Sequence, residues 1–433
     1  MEKLIGLFGR GWRFVRRYGV LRLYRKVKER RDRNRAEAGY EDWLLGQLPD
    51  REETERQRSV EFAFSPLISI LVPAYEPPEL FLRQMIDSVL QQSYGRLELC
   101  IADGSPSDGV KRIAEAYARK DSRVRYRKLD ENLGISGNTN AALGEASGAY
   151  VGLLDHDDLL LPGALFEIVR ALNDGEPADA VYTDEDKLDP ERNCHFQPHF
   201  KPDFNGEYLR SNNYICHFFV VKREIALEAG GFRQEFDGAQ DHDFIFRCTE
   251  KADKILHVPR VLYSWRCHAS STAGNPESKL YAFESGKRAV AAHLERMGTP
   301  GKVLNTENYG FFRVCYPESL ELLIKSFENF DGQTGVNVVY YDKACNNSVT
   351  IFGKEDYVLF TCVRRAKINK GFWKQLLACL ERQDAGMACA RVYGKDKRLR
   401  CDIRMAGVHD PFAQGMEGLK AGYSGYFHRA LLQ

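Results

Sequence analysis

Cysteine is present but never closely paired: the 11 cysteines form an odd total, and none stands at C-x-x-C spacing from another. That pattern argues against a disulfide framework and a structural zinc site, and it implies a reducing compartment. Long apolar runs are missing as well. No window of about eighteen residues is apolar throughout, so nothing reads as a membrane span. No apolar stretch with a small-residue cleavage site follows the N-terminus. Charge of one sign is not in excess, 62 Lys and Arg facing 61 Asp and Glu, so no global field draws the chain to nucleic acid. Between Pro73 and Pro78 there is neither glycine nor lysine, which speaks against the glycine-rich, basic phosphate loop of a nucleotide-transferring enzyme on a similar sheet.

What is present is an ordinary globular composition, 43% hydrophobic and 28% charged over 433 residues, long enough for two or three domains. The neutral total hides a basic arm. Residues 3–35 carry Arg10, Arg13, Arg16, Arg17, Arg22, Arg25, Lys26, Lys28, Arg30 and Arg31, interleaved with Leu4, Leu7, Phe8, Trp12, Val15 and Leu21 at steps of three and four. A basic amphipathic helix of this kind suits the interface of an anionic membrane leaflet; the same face can instead dock on protein. Residues 41–58 are polar and read as a connector, so 1–64 is taken as arm plus connector.

From Pro66 short apolar runs alternate with helical periods. Strands are predicted over 67–72, 97–102, 124–129, 150–154 and 178–183, with later ones at 217–221 and 255–258. Helices are predicted between them, the first carrying Leu82, Met85, Ile86, Val89 and Leu90 on one face. Two more helices are predicted at 240–249 and 277–297. This alternation implies right-handed βαβ units and a mostly parallel sheet with helices on both faces. In such sheets ligands gather at the C-terminal ends of the strands.

That edge is where the chemistry falls. The apolar run from Val151 ends in Asp155, His156, Asp157 and Asp158, and an Asp-x-Asp pair suits a hard divalent cation that bridges to phosphates. Pro73, Ala74, Tyr75 and Glu76 leave the first strand in a rigid turn able to receive a nucleotide base. Asp103 leaves the second, where its carboxylate can accept from a base or a ribose hydroxyl, although Asp-Gly-Ser is also a common turn. Asp184, Glu185 and Asp186 follow the 178–183 strand, and the polar segment 201–214 suits an acceptor wall. Asp241 precedes an apolar helical run; it is placed either to complement that helix's dipole or to act as a general base. His268 follows Trp265 and Arg266 and offers a ring nitrogen to a metal shell.

These residues resemble the family 2 glycosyltransferases of GT-A fold over roughly 66–302. The motifs that carry the resemblance are Ser69-Ile70-Leu71-Val72-Pro73-Ala74-Tyr75, Ala102-Asp103-Gly104-Ser105, Asn132-Leu133-Gly134-Ile135-Ser136, Leu153-Leu154-Asp155-His156-Asp157-Asp158, Tyr182-Thr183-Asp184-Glu185-Asp186-Lys187 and Gln240-Asp241. The likeness is greatest to bacterial enzymes that build O-antigen, rhamnan or other surface polysaccharides. It implies a GT-A domain over 65–310 and inverting transfer from a nucleoside-diphosphate sugar, UDP- or dTDP-linked, to a glycan or lipid-linked acceptor. Donor contacts would come from Pro73, Ala74, Tyr75, Glu76, Asp103, Asp155 and His156. Asp155, Asp157 and His268 would hold Mg²⁺ or Mn²⁺, and Asp241 would be the catalytic base. Asp184, Glu185, Asn213, His217, Gln240 and Trp265 would face the acceptor. Ala102 stands where the family often has a second Asp, and Gln240 where it has Glu; no Gln-x-x-Arg-Trp follows, which implies limited rather than processive addition. The expected place of work is the cytoplasmic face of the plasma membrane. A silent nucleotide-sugar-binding scaffold is the alternative.

Residues 311–433 echo the first unit. Aligning Tyr357-Val358-Leu359-Phe360 with Tyr150-Val151-Gly152-Leu153 places Cys362 and Arg364 where Asp155 and Asp157 stand. Arginine does not ligate a cation, so this reads as a reduced GT-A-like domain without a metal site, serving packing, homodimerisation or acceptor handling. The chain's end at Gln433 carries no stop signal and suggests a longer protein.

Overall fold

The computed structural model describes residues 20, 37–267, 280–299, 301–306, 308–315, 337–340 and 358–361. The basic arm, apart from Val20, and His268, Cys362 and Arg364 lie outside the described residues.

The polar stretch read as a connector is two helices, α1 (Tyr40–Gln47) and α2 (Arg51–Ser59). Its apolar content is low because little of it is buried: Tyr40 and Leu44 enter a small cluster with Leu161, Phe200 and Val261, and α2 is capped by Asp50, which accepts from Glu53 N at 2.8 Å. Then come β1 (Ile68–Ala74), α3 (Glu79–Leu90), β2 (Leu97–Asp103), α4 (Gly109–Ala118), β3 (Val124–Lys128), α5 (Gly134–Glu145) and β4 (Tyr150–Leu153). Every residue of β1 and β2 is buried, as in parallel strands covered on both faces. α3 buries Leu82, Met85, Ile86 and Val89. α5 buries small residues, among them Ser136 and Ala142, and so lies close to the sheet.

The second half is β5 (Leu159–Leu160), α6 (Ala164–Leu172), β6 (Ala180–Asp189), β7 (Cys194–His199), α7 (Gly206–Ser211), β8 (Phe219–Lys222), α8 (Arg223–Glu228), α9 (Gln240–Thr249), β9 (Ile255–Arg266) and α10 (Leu280–Arg296). The sheet order is β3-β2-β1-β4-β8-β6-β9-β5, with β7 hydrogen-bonded to β6. β1 runs parallel to β2 and β4, β2 to β3, and β6 to β9. β8 is antiparallel to both its neighbours, β4 and β6, so β6 and β9 point the same way as β1 to β4. The sheet is therefore mostly parallel, with β8 reversed near its centre and the short β5 and the flanking β7 antiparallel to their neighbours.

β6 is longer than its apolar run. It continues through Asp189, which puts Asp184, Glu185 and Asp186 inside the strand rather than after it. Their polarity is accommodated by β7 and by β9, which itself extends to Arg266. β10 (Lys302–Asn305) and β11 (Phe312–Cys315) form an antiparallel hairpin whose Val303 and Phe312 join the cluster that holds Phe244 and Val290. The packing of the first unit thus continues past residue 310. β12 (Asn337–Tyr340) and β13 (Val358–Thr361) pair in parallel.

Candidate active site

The site is assembled by register. Ala74 pairs with Asp103 at the ends of β1 and β2, and Leu71 with Leu153, so the chain leaving β4 passes beside Val72 and Pro73. His156 Nδ1 accordingly lies 3.0 Å from Pro73 O. Because β8 is reversed, its entry lies at this same edge: Gly152 faces Val220, Tyr182 faces Phe219, and Thr183 N donates to Phe218 O at 3.2 Å. His217, two residues before β8, therefore enters between the ends of β4 and the middle of β6.

One ligand atom each from Asp155, Asp158 and His217 lies within 4.8 Å of the others, and so does one each from Glu185, Cys216 and His217. Burial pushes the Asp155 carboxyl above its ordinary range; His217 opposes the shift, and Asp157 adds to it. Asp158 is raised well above the usual range by burial and by Asp157 and Asp155. It is also held: Tyr263 Oη donates to it, as does Arg266 N at 2.8 Å. Asp157 contributes its charge, and its carbonyl accepts from Arg266 Nε at 2.6 Å.

Glu185 accepts from His217 N at 3.2 Å and pairs with His199 and the Lys201 ammonium. Burial works against its ionised form, but Lys201 and His199 hold it down at about 2. Its neighbours turn away: Asp184 accepts from His257 and from Lys201 N, each at 2.8 Å, and Asp186 from Tyr40 Oη at 2.8 Å and Ser264 Oγ at 2.6 Å. Of the acidic triplet only Glu185 belongs to the cluster, as strand alternation requires. The His217 ring stacks on Tyr263 with centroids 4.6 Å apart and meets Trp265 edge-on at 6.0 Å.

Asp241 lies in the first turn of α9. Its Oδ2 accepts from Asn213 Nδ2 at 2.7 Å and is 3.6 Å from Cys216 Sγ, and its charge helps raise Asp155. Gln240 turns back and accepts from Gly238 N at 2.9 Å. On the opposite flank Tyr75 is 47% exposed, and Glu76, at φ 45°, donates its N–H to Ser105 Oγ. Asp103 is fully buried and accepts from Ser105 N and Tyr126 Oη, each at 2.8 Å, and from Lys128 at 3.1 Å. A carboxylate offers roughly four lone-pair directions, so one more donor can be accepted.

The structure thus gathers Asp155, His156, Glu185, Asn213, His217, Asp241 and Trp265 around one edge, with Pro73, Ala74, Tyr75, Glu76 and Asp103 beside it. Asp184 and Gln240 are directed elsewhere. The carboxylate and imidazole donors suit a hard divalent cation, and raised, mutually repelling carboxyls are groups whose ionised form such a charge would favour. Lys201, Cys216, Tyr263 and Arg266 were not singled out as site residues from sequence. Lys201 opens the polar 201–214 segment, which was the one available signal; the others carry none.

The family model for glycosyl transferase family 2 matches residues 69–229, from β1 to just past α8. An uncharacterized protein of Sinorhizobium fredii, y4gI, is 44% identical over 55% of this chain and 26% of its own length. O-antigen biosynthesis protein RfbC of Myxococcus xanthus is 34% identical over 65% of this chain and 22% of its own length. The chain spans about a quarter of the length of these two relatives. The S. aureus TarS 1-349 structure in complex with UDP-GlcNAc superposes with a TM-score of 0.42 at 19% identity, covering 52% of this chain and 66% of TarS 1-349. Residues 69–229, which carry β1, β2, β4 and the acidic run that follows β4, are a glycosyl transferase family 2 domain.

Proposed function

We propose that the chain is a metal-dependent, inverting glycosyltransferase. It moves a hexosyl or deoxyhexosyl group from a UDP- or dTDP-sugar to a hydroxyl of a glycan or lipid-linked glycan, in the synthesis of a bacterial surface polysaccharide. The observation that carries this reading is Asp241: a carboxylate on a helix N-terminus, held by Asn213 at 2.7 Å and aimed at the strand edge where Asp155 emerges.

Asp103 and Tyr75 receive the base, and His156 braces the turn after β1 through Pro73 O. The acceptor hydroxyl enters past Trp265 and His217. Asp241 takes its proton as the oxygen bonds to the anomeric carbon; the bond from that carbon to the diphosphate breaks, the electron pair leaving on the phosphate oxygen. A single displacement inverts the anomeric centre. Asp155, with Asp157, His217 and His268 as candidate ligands, would hold Mg²⁺ or Mn²⁺, which when bound would supply positive charge for the leaving diphosphate. The basic arm of residues 1–35 places this chemistry at an anionic membrane leaflet, on the cytoplasmic side.

A panel of UDP-, dTDP- and GDP-sugars, screened for thermal stabilisation with and without Mn²⁺, tests the reading, because a ligand that binds the folded state raises its apparent stability. Manganese-dependent stabilisation by at least one donor, followed by transfer, is the expected result. Stabilisation without transfer to any acceptor points to the silent scaffold, and no stabilisation by any donor contradicts nucleotide-sugar binding.

A further inference from the structure

The loop that feeds β8 grips the proposed base from one side only. Asp241 Oδ2 receives the Asn213 amide at 2.7 Å and faces the Cys216 thiol at 3.6 Å, whereas among the described residues Oδ1 has no hydrogen-bond partner. The Asn213 amide is itself fixed, because its Oδ1 accepts from Cys216 N at 3.3 Å; the NH₂ group must then face Asp241.

The loop is stapled from below. Lys201 is fully buried, and its ammonium donates to Ile215 O at 2.6 Å and to His217 O, and faces Glu185 Oε2 at 3.5 Å. The two carbonyls flank Cys216, so one ammonium draws in the chain on both sides of it. Cys216 consequently sits at φ 37°, a left-handed conformation that a non-glycine residue holds only when its surroundings impose it.

We propose that Asn213 and Cys216 are positioning residues that fix Asp241 through Oδ2 and leave Oδ1 as the oxygen that takes the acceptor proton, with Lys201 holding the loop that carries both. This rests on the reading of Asp241 as the base. A carboxylate free to rotate about its terminal torsion presents the reacting oxygen in the right place only part of the time, and misplacement of about 1 Å can cost about 10²-fold in rate.

The test uses the full chain with UDP-glucose, UDP-N-acetylglucosamine and dTDP-rhamnose. Turnover is followed as nucleoside-diphosphate release, with water as acceptor where no glycan is known. UDP affinity is measured by calorimetry. Asn213→Ala and Cys216→Ala are each expected to lower kcat by about 10- to 10²-fold while UDP affinity and Tm stay at wild-type values. Cys216→Ser, whose hydroxyl donates in the same direction, should recover most of the loss. Asn213→Ala at wild-type turnover in a protein whose Asp241→Asn variant is inactive overturns the positioning role and leaves the base in place. Full turnover by Asp241→Asn overturns the base itself. Equal losses of kcat, UDP affinity and Tm in the Asn213 and Cys216 variants, with no recovery in Cys216→Ser, reduce the pair to a structural role and overturn the proposal. Lys201→Met should mimic Asn213→Ala; if it does not fold, the Asn213 and Cys216 variants decide alone.

Discussion

Asp155 and Asp158 belong to one acidic run, yet their side chains are placed for different work. Asp158 accepts from the Tyr263 hydroxyl and the Arg266 backbone in a site with no exposure, so it ties β9 to the turn after β4. Asp158→Ala leaves buried donors unmatched, at about 1–3 kcal/mol for each, and should lower Tm markedly. Asp155→Ala removes a carboxyl whose ionised form is disfavoured by burial and by Asp157. That variant should unfold at or slightly above the wild-type temperature while losing manganese-dependent donor binding in calorimetry. A Tm loss in Asp155→Ala as large as in Asp158→Ala would show that the two carboxylates share one structural job. The position of Asp155 was legible in sequence because an apolar strand ending in carboxylates fixes which edge they reach. The division of labour was not, because it depends on which side chains turn inward to meet Tyr263 and Arg266, more than a hundred residues later.

At the level of elements, the parallel half of the sheet was legible for a simple reason: strands covered on both faces are mostly apolar, and β1, β2 and β4 are, with Ser69 and Glu98 hydrogen-bonded to each other at 2.6 Å. β6 and β9 were recognised only in their first residues, since β6 runs on into the polar stretch from Asp184 to Asp189 and β9 is interrupted by Pro259 and Arg260, where its register with β6 shifts, before a second apolar run. The β7 hairpin, with polar residues on both sides, left no period to read, and α1 and α2 bury too little to show one. Helix α9 was expected, but the stack behind Asp241 was not. His242 lies against Phe246 with centroids 4.6 Å apart, and His293 against the same ring at 4.2 Å. Burial pushes His242 down to about 4 from its ordinary 6.5, and His293 is lowered by burial as well. A histidine with a depressed folded pKa binds its proton more readily when unfolded, so stability is complete above about 6.5 and falls as pH drops toward 4. The proton taken up by His242 is worth on the order of 1–3 kcal/mol over that interval. Thermal unfolding measured from pH 7 to pH 4 should show Tm falling, and His242→Gln should flatten the fall; an unchanged slope in that variant would remove His242 as its source.

For the whole molecule, no helix among the described residues is long and apolar enough to cross a membrane, and the proposed attachment to a leaflet rests on the basic arm. Flotation with vesicles rich in phosphatidylserine should carry the full chain and leave behind a form lacking residues 1–35, with the difference fading as salt rises; equal flotation of both forms would assign the arm to the protein itself. In the last third, β12 pairs in parallel with β13, and β13 falls on the segment around Val358 read as a strand of a second, reduced unit. Its proposed lack of a metal site rests on Cys362 and Arg364, which lie outside the described residues. The proposed transfer depends on one carboxylate. Single-turnover transfer from the donor that stabilises the protein most, measured for wild type and Asp241→Asn beside the donor Kd of each, tests it most directly. The expected result is a loss of about 10²- to 10⁴-fold in rate, the usual worth of a general base, at unchanged Kd; transfer by Asp241→Asn at the wild-type rate would contradict it.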